Sequence, residues 1–170
     1  LLQSEIVITD QKNAGIFEKI EFDGHIFVYE ELVNVEVNLT LLEDVRSRTI
    51  DTDPLYIIFT SGSTGVPKGV TISHRSTIDF IDHFVETFEI TDKDVIANQA
   101  PFDFDVSVKD IYTGLLTGAK VQIIPREYFS DPTTLMDYMA DSKMTVLTWA
   151  VSAMCFVSVM NGFDYRTPDT

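Results

Sequence analysis

From Pro54 onward the apolar positions alternate between two rhythms, short β-branched and aromatic runs and longer stretches with helical spacing. Tyr56 to Thr60, Val70 to Ser73, Asp94 to Asn98, Lys120 to Ile124 and Thr145 to Trp149 read as strands. Ser73 is placed to cap a helix with Ile78, Ile81, Phe84, Val85 and Phe88 on one face. Asp105 to Thr117 predicts a helix that groups Val108, Ile111, Tyr112 and Leu115 and stops at Gly118. Asp131-Pro132 is a start signal for a helix to about Asp141. Val151 to Met160 predicts another, ended by Asn161-Gly162. Strand and helix in alternation imply an α/β fold, layered, with a largely parallel sheet and flanking helices.

The first third is less regular. Ile6 to Thr9 reads as a short buried strand. Phe17, Ile20 and Phe22 suggest an extended segment, and His25 to Tyr29 another. Glu30, Glu31, Glu36, Glu43 and Asp44 read as a solvated surface, and no chemistry is assigned before residue 54.

Composition narrows the function classes. With 170 residues, 45% hydrophobic and 23% charged, the chain is the size of one globular domain. A net charge of -15 without a lysine run excludes a nucleic-acid surface as partner. It also means that a bound nucleoside triphosphate is expected to bring a cation, Mg2+, with it. No apolar segment is long enough to span a bilayer, so no membrane partner is expected. The lone Cys155 lies in an apolar run and is expected in the core; one cysteine forms no internal disulfide, which fits a cytoplasmic location. His25, His74 and His83 have no metal-ligand spacing, and no metal site is assigned. The chain begins at Leu1 with no basic leader and reads as the middle of a longer fold.

The candidate chemistry concentrates in two runs. The first is Tyr56-Ile57-Ile58-Phe59-Thr60-Ser61-Gly62-Ser63-Thr64-Gly65-Val66-Pro67-Lys68-Gly69, a strand followed by glycines, hydroxyls and one lysine. Such a loop can wrap backbone N–H groups and hydroxyls around a phosphate, with Lys68 as a point charge at its edge. It is not a Walker P-loop, because Gly69 rather than Ser or Thr follows the lysine. Read alone, Gly62 and Gly65 also suit a simple turn. The second run, Asn98-Gln99-Ala100-Pro101-Phe102-Asp103-Phe104-Asp105-Val106-Ser107-Val108, puts an aspartate at a strand-to-helix junction, where α/β proteins bind ligands. Two readings of Asp105 stand: a helix cap or a ligand-binding carboxylate. Asp103 and Asp110 read as surface carboxylates.

The first run closely resembles the signature loop of the adenylate-forming (AMP-binding) enzymes. These include amino-acid-activating domains of nonribosomal peptide synthetases, D-alanine–carrier-protein ligases, acyl-CoA synthetases and luciferases. The second run is similar to the Phe-Asp-x-Ser motif of the amino-acid-activating members. The resemblance implies that Thr60, Ser61, Gly62, Ser63, Thr64, Gly65 and Lys68 bind the phosphates of ATP, with Lys68 catalytic. It implies that Asp105 holds the α-ammonium of an amino-acid substrate, which disfavours an acyl-CoA synthetase-like enzyme. Thr145 to Trp149 resembles the family's specificity strand, and by the same analogy Val106, Lys109 and Thr148 line the substrate side chain. Lys109 reads equally as a solvated helix lysine; facing inward, it would suit an acidic or polar substrate side chain.

The implied reaction joins a carboxylate to AMP with release of pyrophosphate. The acyl group then passes to the phosphopantetheine thiol of a carrier protein or domain. The resemblance covers an inner portion of the family's large domain. The later nucleotide-binding motifs and the small C-terminal domain are missing from these 170 residues, so turnover is not expected from them alone. A short, non-catalytic module that binds nucleotide or a partner is the alternative.

Overall fold

The computed structural model describes residues 4–61 and 65–168. The chain forms two compact units, Leu1–Thr49 and Ile50–Thr170. In the first, β1 (Ile6–Thr9) pairs in parallel with β2 (His25–Val28), with α1 (Ala14–Lys19) between them in sequence. The extended segment expected around Phe17 is therefore helical. Asp10 Oδ1 accepts the Asn13 N–H to start the helix, and the Phe17 and Phe22 rings meet edge-on at 5.9 Å, a local contact that the apolar spacing alone left open. Two further helices, α2 (Tyr29–Leu32) and α3 (Leu39–Arg48), complete this unit; the Asn38 side chain caps α3 through the Leu41 N–H.

The second unit carries the predicted α/β alternation. An antiparallel hairpin of β3 (Pro54–Thr60) and β4 (Lys68–Ser73) leads into α4 (His74–Phe88), capped by Ser73 as expected. Next come β5 (Val95–Asn98), α5 (Val106–Thr117) and β6 (Lys120–Ile123), with β5 and β6 parallel. The helices α6 (Pro132–Asp141), α7 (Val151–Val159) and α8 (Gly162–Tyr165) follow. Among the described residues the strands form three two-stranded pairs, two parallel and one antiparallel.

β5 is covered on both faces, as parallel strands usually are. Ile96 packs with Ile90, Ala119 and Phe84, while Ala97 turns to the opposite cluster of Leu135, Met136, Met139, Met144 and Val157. Trp149 seals that second cluster and donates its indole N–H to the Ala97 carbonyl at 2.9 Å.

Further expectations change: β1, expected to be buried, leaves Ile6 and Ile8 exposed. The segment from Thr145 to Trp149 makes one parallel bridge, Val146 to Ile96, in place of a strand. The Thr145 hydroxyl accepts the Val95 N–H at 3.0 Å and donates to Asp94 at 2.8 Å, so side chains do part of the work of a ladder. On α5 the fully buried positions are Ser107, Asp110, Thr113 and Gly114, while Leu115 is 74% exposed. A Cβ at Gly114 would collide with Val121 Cγ2, so small residues bring the helix close to β6. Cys155 is exposed, because α7 turns Ala153 and Val157 inward instead.

Candidate active site

The β3–β4 register decides where the loop chemistry sits. Tyr56 pairs with Ile72, Ile58 with Val70, and Thr60 with Lys68. Directly paired residues share a face and side chains alternate along a strand, so Tyr56, Thr60 and Lys68 project from one side of the hairpin. Thr60 and Lys68 lie four residues beyond the Tyr56–Ile72 pair, roughly 13 Å along the strand. The Thr60 hydroxyl donates to the Lys68 carbonyl at 3.5 Å, closing the base of the loop. Gly65 takes φ +81°, a backbone conformation that glycine adopts readily, with nothing among the described residues within 4 Å of the position of a Cβ. Ser61 and Lys68 are exposed. Gly62, Ser63 and Thr64 lie outside the described residues.

Asp105 stands at the N-cap position of α5 but does not act as a cap. Its backbone is helical (φ −59°, ψ −25°), whereas a capping residue is normally extended. Backbone carbonyls do the capping: Ser107 N–H goes to Phe104 O and Val108 N–H to Asp105 O, each at 3.0 Å. The carboxylate is left exposed for another partner. It lines a cleft of about 410 Å³ with Tyr56 and Ile72 of the hairpin, Phe80 of α4, and Val106 and Lys109 of α5. Burial, then the nearby Asp105 carboxylate and Tyr112, push the Tyr56 phenol above its ordinary pKa, so it stays a neutral O–H donor.

Lys109 is not a solvated lysine. Its side chain is 13% exposed, and Nζ donates to Asp110 Oδ1 at 2.7 Å. Asp110, expected at the surface, is 2% exposed. It also accepts from Asn98 Nδ2 at 3.0 Å and from the Thr148 hydroxyl at 3.4 Å. Lys109, Asp110 and Thr148 thus form one network, but Thr148 itself faces a different pocket, with Val146 and Phe163. Sequence reasoning missed the roles of Tyr56, Asn98 and Asp110. The available signal was an asparagine ending an otherwise apolar strand and an aspartate within the helix that follows. A larger cleft of about 700 Å³ lies at the carboxyl ends of β5 and β6, lined by Gln99, Phe102 and Arg126 among others; neither Lys68 nor Asp105 lines it.

Among the described residues no group of three or more His, Cys, Asp or Glu side chains assembles to hold a metal. Mg2+ is ordinarily held by one or two carboxylates together with substrate phosphates rather than by an all-protein cage.

The model of the AMP-binding enzyme family matches residues 4–164. The chain belongs to the AMP-binding enzyme family. Gramicidin S synthase 1 of Brevibacillus brevis is 30% identical over 147 residues, covering 86% of this chain and 13% of that protein. An L-proline–(L-prolyl-carrier protein) ligase of Pseudomonas fluorescens is 36% identical over 158 residues, covering 92% of this chain and 28% of the relative. A D-alanine–D-alanyl carrier protein ligase of Bacillus cytotoxicus is 41% identical over 98 residues, covering 58% of this chain and 19% of the relative. The chain thus spans 13% to 28% of the length of these three relatives. Among solved structures, the adenylation domain of a keto acid-selecting NRPS module bound to keto acyl adenylate gives a TM-score of 0.74 at 21% identity, over 94% of this chain and 30% of that one. The Vibrio cholerae adenylation domain AlmE, in complex with glycyl-adenosine-5'-phosphate, gives 0.65 at 21% identity, over 92% of this chain and 28% of that one. The structural matches establish the fold, an α/β adenylation-domain architecture. Among the described residues no helix is long and apolar enough to cross a membrane.

Proposed function

We propose that residues 1–170 form part of an enzyme that activates an amino acid with ATP, making an aminoacyl-adenylate and pyrophosphate. The observation that carries this reading is Asp105. It sits where an aspartate ordinarily caps a helix, yet its carboxylate caps nothing and opens into a cleft on α5. A carboxylate with that freedom is suited to a substrate ammonium, a charge-assisted hydrogen bond of about 1.5–3 kcal/mol. Thr60 and Lys68 project from the same side of the hairpin as Tyr56, which lines that cleft. Loop N–H groups and Lys68 would hold the triphosphate and stabilise the charge of the departing pyrophosphate. Asp105 would orient the amino acid so that its carboxylate oxygen attacks the α-phosphorus, breaking the bond to pyrophosphate. Mg2+ would arrive on the nucleotide phosphates, and the acyl group would pass to a carrier-protein phosphopantetheine thiol in the cytoplasm.

The similarity to amino-acid ligases of carrier proteins supports an amino acid over a fatty acid. The test is amino-acid-dependent exchange of pyrophosphate into ATP by the complete protein that carries this domain. Lys68→Ala and Asp105→Ala are each expected to abolish it. Normal exchange by either variant would remove that residue from the mechanism.

A further inference from the structure

We infer that Lys109, held in place by Asp110, recognises a neutral hydrogen-bond acceptor on the substrate side chain, a carboxamide, and that Asp110 turns the cleft away from acidic amino acids. The inference rests on the amino-acid-activating function proposed above and adds the substrate class.

Asp105 and Lys109 are four residues apart on α5, so they share a helix face about 6 Å apart along the axis. Both line the cleft of about 410 Å³. An amino acid with its ammonium at Asp105 can extend its side chain past Val106 and Phe80 toward Lys109. Adjacent helix residues point in different directions, so the Lys109 stem bends round to reach Asp110 on the buried face. One of the three Nζ donors is then taken by Asp110 Oδ1 at 2.7 Å, and others remain for a ligand.

Charge decides between an acid and an amide. Lys109 and Asp110 cancel each other, and Asp105 is matched by the substrate ammonium. A side-chain carboxylate would add an anion with no counter-charge of its own, beside a lysine 13% exposed and an aspartate 2% exposed. A carboxamide supplies the acceptor that Lys109 needs without the charge. An apolar side chain would leave the Lys109 donors facing nothing, which a polar site penalises strongly.

The test is pyrophosphate exchange by the complete protein with glutamine, glutamate, asparagine, aspartate and leucine. Thermal melts of each variant report on folding. The wild type is expected to favour a carboxamide over its matching carboxylate and over leucine by about tenfold or more. Asp110→Asn, nearly isosteric, frees the Lys109 charge and should reverse the amide-to-acid ratio. Lys109→Met, which keeps the length of the side chain, should shift the preference from the amide to leucine. If Asp110→Asn fails to fold, the wild-type and Lys109→Met ratios still decide. A wild type that favours the acid or leucine, or a folded Asp110→Asn with an unchanged ratio, overturns the inference and leaves the activity standing. Exchange with no amino acid at all overturns the proposed function, and this inference with it.

Discussion

Two aspartates at helix starts do different work here, and stability separates them. Asp131 accepts from the hydroxyl of Thr134, then that of Thr133, and from the Thr133 N–H at 3.1 Å, and these bonds hold its carboxyl below the ordinary range. Asp131→Ala should lower the midpoint of a urea melt, as the loss of a helix cap does. Asp105→Asn should change stability by less than about 0.5 kcal/mol, since Asp105 caps none of the described N–H groups. Equal costs for the two would mean that Asp105 is a structural residue after all. The Phe-Asp-x-Ser run showed where Asp105 lies in the sequence. Its freedom depends on the turn from Pro101 to Asp105, where backbone carbonyls take the bonds a side chain would otherwise make. Asp110 was harder to read. A charged residue on a helix is ordinarily solvated, and only its three partners, Asn98, Lys109 and Thr148, explain how it is buried.

At the scale of elements, capping residues and glycines were legible because their chemistry is local. Ser73 before α4, Asp131-Pro132 before α6 and Gly118 after α5 (φ +78°) all act as their types predict. The buried face of α5 was not legible, because a small and polar face is buried only where a neighbour comes close. Gly114→Ala tests that contact directly. Its Cβ would meet Val121, so a loss of about 1–3 kcal/mol is expected in a chemical melt, and an unchanged midpoint would show that α5 can shift at no cost. The segment from Thr145 to Trp149 depends on Asp94. The Thr91 N–H first, then the Thr145 hydroxyl, hold the Asp94 carboxyl below its ordinary pKa. The ionised form is thus favoured by folding, and its contribution is full above the ordinary carboxylate range. It fades as pH falls through the lowered folded value. Asp94→Asn should therefore lose stability near neutral pH and differ less from the wild type in acid. A difference that does not shrink in acid would rule out Asp94 as the titrating tie.

Over the whole molecule, the unit Ile50–Thr170 brings together the elements that matter: a hairpin that presents the loop, a helix that presents Asp105 and Lys109, and a strand buried on both faces behind them. Alternating strand and helix patterns made that α/β order readable before any coordinates. The division into strand pairs was not readable, because pairing depends on partners distant in sequence. The most direct test of the account measures pyrophosphate exchange by the wild type and Asp105→Ala with two substrates, the preferred amino acid and its analogue lacking the α-amino group. If Asp105 holds the ammonium, the substitution costs about 100-fold or more with the amino acid, because a charged partner is left unpaired, and little with the analogue. Equal losses with both substrates would contradict the account.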